Sequence, residues 1–178
     1  MCGITGIFSK NSGQYFLVDE AKKMADSLAH RGPDEAGIWY ESDYSCVLSH
    51  RRLSILDLSK NGSQPMISKS NRFVICYNGE IYNTDELLKN YPSTNLVIKG
   101  HSDTEIILEL FERHGLDTII PQLIGMFAFA LFDRKYKKIF LCRDRLGIKP
   151  LYWGVIKNEL IFASELKAFN FKNLLQKN

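Results

Sequence analysis

Apolar residues alternate with polar or small ones in a series of short runs, and a period of two is the mark of half-buried strands. The runs are Ile4–Phe8, Gly37–Tyr40, Cys46–Ser49, Phe73–Tyr77, Met126–Asp133, Ile139–Arg143, Tyr152–Val155 and Leu160–Ala163, with Gly, Asn and Asp common around them. Two stretches change period. Ala21, Met24, Ala25 and Leu28 fall on one helical face and predict a helix over about Asp19–Ala29. Ile106, Ile107, Leu110 and Phe111 form a second stripe, in a helix that starts near Asp103. The run ELKAF near the end reads as the first turns of a third. "YNGEIYN" and "DRKYKK" read as hairpin turns, Asn-Gly after an apolar strand being a strong hairpin signal. Many antiparallel strands and few helices predict an α+β chain, two sheets packed together with helices on their outer faces.

A chain of 178 residues fits one domain and buries roughly 70 % of its unfolded surface. At 45 % hydrophobic and 24 % charged it is ordinary globular material. The net charge is only +3, and no basic run exceeds two residues, as in Arg51–Arg52, so neither nucleic acid nor a membrane surface is called for. No apolar run approaches the roughly 20 residues of a membrane span, and the start lacks the pattern of a secretory signal. Four cysteines (Cys2, Cys46, Cys76, Cys142) stand far apart without zinc spacing. Cys46, Cys76 and Cys142 sit in strand-like apolar runs and are expected as buried packing in a reducing, cytoplasmic compartment. The glycine-rich patterns of dinucleotide and P-loop sites do not occur.

Chemistry enters with Cys2. Once Met1 is removed, thiol and α-amine share one residue, and the amine, with a reference pKa of about 7.7–8.0, can take the proton of a thiol near 8.5. Gly3 keeps the approach to the sulfur open. A cysteine at the start of a core strand would read the same way on "MCGI" alone. Asn78 and Gly79 offer a side-chain and a backbone N–H that could converge on one oxyanion, or simply make a turn. Ser102 with Glu105 is a capping box, and Asp103 between them suits a helix start or an ammonium ligand. Arg52, ahead of an alternating strand, could bind a carboxylate bidentately or be a solvated charge. The four histidines lack metal spacing and read as structural or near-site groups.

Read in order, "CGITG", "RGPDEAG", "HRRLSILD", "NGSQPM", "YNGEIYN", "SDTE", "GMFAFALFD", "RDRLGIKPLYW" and "SELKA" make a set that resembles the class II glutamine amidotransferase domain of glutamine-hydrolysing asparagine synthetase. The resemblance runs from Cys2 to about Ala168. It implies the N-terminal-nucleophile hydrolase fold, a four-layer αββα sandwich of two antiparallel sheets, and hydrolysis of the glutamine side-chain amide to glutamate and ammonia. On this resemblance Cys2 attacks the amide carbon, and Asn78 with the Gly79 N–H stabilises the oxyanion. Arg52 holds the substrate carboxylate, Asp103 with Glu80 its ammonium, and Leu53, Ile55 and Leu56 line the pocket. Arg31 and Gly32 belong to a loop near the site. No metal or cofactor is expected in this domain; ATP and magnesium are expected only in a synthetase domain, whose Ser-Gly-Gly-x-Asp-Ser loop is absent from these residues. Expected partners are therefore L-glutamine and an ammonia-accepting synthetase domain or subunit, with homodimerisation open. A domain that binds glutamine or docks a partner without turnover, or one that serves another acceptor such as a sugar, would carry the same residues.

Overall fold

The computed structural model describes residues 1–9, 16–43, 45–54, 62–92, 102–156 and 158–172. Among them the chain runs β1 (Gly3–Ser9), α1 (Phe16–Asp26), β2 (Glu35–Tyr40), β3 (Cys46–Arg52), β4 (Met66–Ile67), β5 (Phe73–Ile81) and α2 (Thr84–Asn90). It continues through α3 (Asp103–His114), α4 (Leu116–Ile119), β6 (Gly125–Asp133), β7 (Lys138–Arg143), β8 (Tyr152–Ile156) and β9 (Glu159–Ala163). The strands make two antiparallel sheets, one in the order β2-β3-β1-β9-β8 and the other β4-β5-β6-β7.

Side-chain alternation sorts the core into three layers. Ile4, Cys46, Leu48 and Phe162 of the first sheet meet Val74, Cys76, Ala128, Ala130 and Phe132 of the second. On the outer face of the first sheet Ile7, Val47 and Ile161 pack against Leu17, Ala21, Met24 and Leu28. On the outer face of the second, Ile75, Phe127, Phe129 and Leu131 pack against Leu87 of α2 and Ile107, Leu110 and Phe111 of α3. This is the expected αββα sandwich. α3 begins where its cap demands, with Ser102 Oγ accepting the Thr104 N–H at 3.2 Å, and it ends at Gly115, whose φ of 81° favours glycine.

Four expectations need correction. Asn78–Gly79 is not a turn: β5 continues to Ile81, with Asn78 opposite Ala128 and Gly79 opposite Phe127. The glycine is needed for closeness, because a Cβ there would lie 2.3 Å from the Met126 carbonyl oxygen. The first helix ends at Asp26 rather than Ala29; Leu28 and Ala29 bond back to Ala25 and Asp26 in tight turns, yet Leu28 stays fully buried. The third helix is a 3-10 segment, Leu166–Lys172. Cys142 is half-buried, whereas Cys46 and Cys76 are fully buried as expected. The "DRKYKK" hairpin forms as read, with Asp133 Oδ1 accepting the N–H groups of Lys135 and Tyr136. No helix among the described residues is long and apolar enough to cross a membrane.

Phe132 anchors the inner layer: it is fully buried, and its ring centroid lies 6.0 Å from that of Phe8 and 5.9 Å from that of Trp39. Phe132→Ala should lower stability by about 3–5 kcal/mol, a large share of what a domain of this kind possesses. Urea unfolding monitored by tryptophan fluorescence measures it, and a loss under about 1 kcal/mol would contradict this account of the core.

Candidate active site

Which of two adjacent arginines faces the interior is decided by parity. Arg52 shares the inner face of β3 with Leu48 and His50, and it is buried. Arg51 points the other way, donating from Nε to the Ala25 carbonyl at 3.2 Å and pairing with Asp26 at the end of α1. Gly3 pairs with Arg51, so the beginning of β1 lies beside the end of β3, and Cys2 has the parity of inward-facing Ile4. Its Sγ accepts the Leu53 N–H at 3.4 Å and lies 3.7 Å from the Leu53 carbonyl.

Arg31 fixes the residue from behind. Its Nε donates to the Cys2 carbonyl at 3.0 Å, and its Nη1 donates to Glu165 at 2.9 Å. Burial alone would raise the Glu165 carboxyl, but hydrogen bonds from Arg31, His30 and Lys167 outweigh it and hold the group at about 2. Gly32 lets this loop run against β3, since a Cβ there would sit 2.3 Å from the Arg51 backbone.

The second sheet supplies the facing wall. Asn78 lies on the inner face of β5, only 2 % exposed, and its Nδ2 has no hydrogen-bond partner among the described residues. An unsatisfied donor this deep is expensive unless a ligand takes it up. Gly79 adds a backbone donor by register. Phe127, its partner, donates its N–H to Asp144 Oδ2 and accepts the Asp144 N–H at its carbonyl, so the Gly79–Phe127 pair is a non-bonded one. The Gly79 N–H therefore points away from β6, where β4 no longer reaches: β4 pairs only with Val74 and Ile75.

Asp103 opens α3 and is held firmly in place. Its Oδ2 accepts the Tyr77 hydroxyl at 2.7 Å and the Ile81 N–H at 2.9 Å, and its Oδ1 accepts the Thr104 N–H at 2.8 Å. Burial, reinforced by the Asp103 charge, pushes the Tyr77 hydroxyl far above the ordinary phenol range, so it stays a donor. Arg52 is braced by Glu35, with Nη1 to Oε2 at 2.9 Å. Burial would raise the Glu35 carboxyl, but hydrogen bonds from Ser63 and Arg52 bring it below its usual value.

Cys2, Arg52, Asn78, Gly79, Glu80 and Asp103 line a single hollow of about 170 Å³, together with Met1 and Lys149. That is room for one small amino acid or a few waters. Larger hollows lie between β4 and α3 (about 320 Å³) and beside β7 and β8 (about 630 Å³), but neither brings a nucleophile to an unpartnered buried donor. Leu53 reaches the site through its backbone; Ile55 and Leu56 lie outside the described residues. Tyr77, Gln64 and Glu35 escaped notice in the sequence. Tyr77 was within reach of a parity argument, as the outward-facing neighbour of Asn78, whereas Gln64, which accepts the Tyr77 N–H at 2.6 Å, comes from an irregular segment without periodicity.

The two-sheet sandwich with a cysteine at the head of its central strand defines a class. A solved glutamine phosphoribosylpyrophosphate amidotransferase from B. subtilis matches it with a TM-score of 0.75 at 22 % identity, over 95 % of this chain and 43 % of that one, and it shares the N-terminal-nucleophile hydrolase fold. The chain belongs to the glutamine amidotransferase domain family, whose model matches residues 1–178. It is 43 % identical to a putative asparagine synthetase [glutamine-hydrolyzing] 2 of Methanocaldococcus jannaschii, over 94 % of this chain and 35 % of the relative. It is 42 % identical to asparagine synthetase [glutamine-hydrolyzing] 2 of Bacillus subtilis, over 94 % of this chain and 22 % of that protein. The chain thus spans about a third or less of these relatives.

Beneath the hollow His50 ties the sheets together, its Nε2 donating to the Tyr77 carbonyl at 3.0 Å, since a carbonyl can only accept. Complete burial lowers its pKa to about 4 against a reference of 6.5. As pH falls through this window the unfolded chain takes up a proton that the folded one refuses, so stability must fall with pH, by about 2 kcal/mol at pH 5. In urea unfolding at pH 7 and pH 5, His50→Gln, which keeps a donor but cannot titrate, should lose most of this difference. An unchanged pH slope in that variant would refute the assignment.

Proposed function

We propose that this domain hydrolyses the side-chain amide of L-glutamine to glutamate and ammonia, with Cys2 as nucleophile. One observation carries the reading: the Cys2 thiol, the orphaned Asn78 Nδ2, Arg52 and the Asp103 carboxylate all border the same small hollow. Met1 is 55 % exposed and open to an aminopeptidase, whose action would free the Cys2 amine. That amine takes the thiol proton as sulfur bonds to the amide carbon, and the carbonyl π pair moves onto oxygen. The amine then returns the proton to the departing nitrogen, ammonia leaves, and water hydrolyses the thioester to glutamate. Asn78 Nδ2 and the Gly79 N–H are the donors for the oxyanion.

The substrate is a zwitterion and the hollow is bipolar. Arg52 suits the α-carboxylate as a planar, permanently charged donor. The Asp103 carboxylate is oriented by Tyr77, Ile81 and Thr104 and suits an ammonium by its charge, with Glu80 adding negative charge from the neighbouring wall. By likeness to the named relatives, the ammonia goes to an asparagine-synthetase-type acceptor domain or subunit. ATP and magnesium would act in that part of the protein, in a cytoplasmic setting.

Glutamate release by the protein with Met1 removed is the direct measurement. Cys2→Ala should abolish it, and Asn78→Ala should reduce kcat by about 10²–10³ without unfolding the chain. Turnover at the wild-type rate in Cys2→Ala would end the proposal.

A further inference from the structure

Lys149 is an unusual presence in this hollow. It is only 6 % exposed, it follows β7 in the loop that returns to β8, and it lines the same space as Cys2, Asn78 and Gly79. Its backbone is thoroughly fixed: its N–H goes to Asp144 Oδ2 at 3.0 Å and its carbonyl accepts Arg143 Nε at 2.7 Å. Asp144 also takes the N–H groups of Ile148 and Phe127, so this segment is locked to β6 directly opposite Gly79. The Lys149 ammonium, in contrast, has neither a hydrogen bond nor an ion pair among the described residues. Buried cations are almost always paired.

The anionic groups of the hollow do not fill that role. Asp103 is engaged by Tyr77, Ile81 and Thr104, and neither it nor Glu80 forms an ion pair with Lys149. The Asn78 amide, buried and without a partner, and the Lys149 ammonium, unpaired at the end of a largely buried side chain, therefore border one space, and that combination describes an anion subsite.

We infer that Lys149 is a further binding residue at the reacting end of the substrate, a cation that meets the tetrahedral oxyanion and the product γ-carboxylate. The inference rests on the glutaminase reading and extends it. The γ-amide of glutamine is neutral. When the Cys2 sulfur bonds to its carbon and the thiol proton passes to the α-amine, the carbonyl π pair becomes a full negative charge on oxygen. After ammonia leaves and water opens the thioester, the same carbon carries a carboxylate. A fixed ammonium thus favours the transition state and the product over the substrate, which speeds the chemistry and makes glutamate a product inhibitor.

Steady-state kinetics on the processed protein test this with Lys149→Met and Lys149→Arg. Lys149→Met should lower kcat by about 10–100-fold, in keeping with loss of one charged hydrogen bond, and should weaken glutamate inhibition by about tenfold. KM for glutamine should stay within about threefold, because the neutral amide gains little from the charge. Lys149→Arg should recover most of both losses. Unchanged kcat and glutamate inhibition in Lys149→Met, or a rise in KM alone, overturn the inference. If Lys149→Met does not fold, the wild-type protein still decides: it should bind L-glutamate at least about tenfold more tightly than the neutral γ-methyl ester, and equal affinities overturn the inference. Absence of any glutamate release by the wild-type protein would instead sink the glutaminase reading, whatever the glutamate-to-ester ratio.

Discussion

A chain terminus ordinarily frays, because its first residues lack neighbours that could hold them. Here the chain is held from Cys2 onward. β1 is the middle strand of its sheet, paired with β3 through Gly3–Phe8 and with β9 through Thr5–Ser9. Arg31 grips the Cys2 carbonyl, and the Leu53 backbone flanks its sulfur on the other side. Everything else about the site follows from this fixation. In the reaction proposed for Cys2 the base is its own amine, so no second side chain corrects its aim and the backbone does the aiming.

Opposite charges are then distributed between the two halves of the sandwich. Arg52 belongs to β3 of one sheet, and Asp103 heads the helix that packs on the other. Each is braced from behind, Arg52 by Glu35 and Asp103 by Tyr77 and two backbone N–H groups. The braced pair borders one hollow of about 170 Å³. His50 adds an uncharged tie between the sheets, and burial keeps it uncharged. The space is thus bipolar by the placement of its braced charges, the preorganised condition that makes electrostatic stabilisation effective.

Much of this was legible in the residues alone, and the exceptions have physical causes. The strands were visible because alternation separates the outer helical layers from the inner sheet-to-sheet layer. Eight of the nine strands among the described residues fall on alternating runs; the missing β4 is two residues long and shows no alternation. α2 buries only Leu87 and so lacks a stripe. Asn78–Gly79 misled because a glycine demanded by strand proximity looks the same in sequence as one demanded by positive φ; only the Met126 carbonyl, 47 residues along the chain from Gly79, tells them apart. Cys2, Arg52, Asn78 and Asp103 were identifiable as chemical types, but their convergence came from family resemblance rather than from spacing. Lys149 carried no local signal, since its burial is a property of the loop between β7 and β8 and not of its neighbours.

The exposed Met1 at the mouth of the hollow has a practical side. Whatever precedes Cys2 borders the opening and caps the amine that the proposed reaction uses, so a purification handle fused there would act as a plug. The 3-10 segment Leu166–Lys172 leaves that opening clear, because it packs against α1 on the outer face of the first sheet.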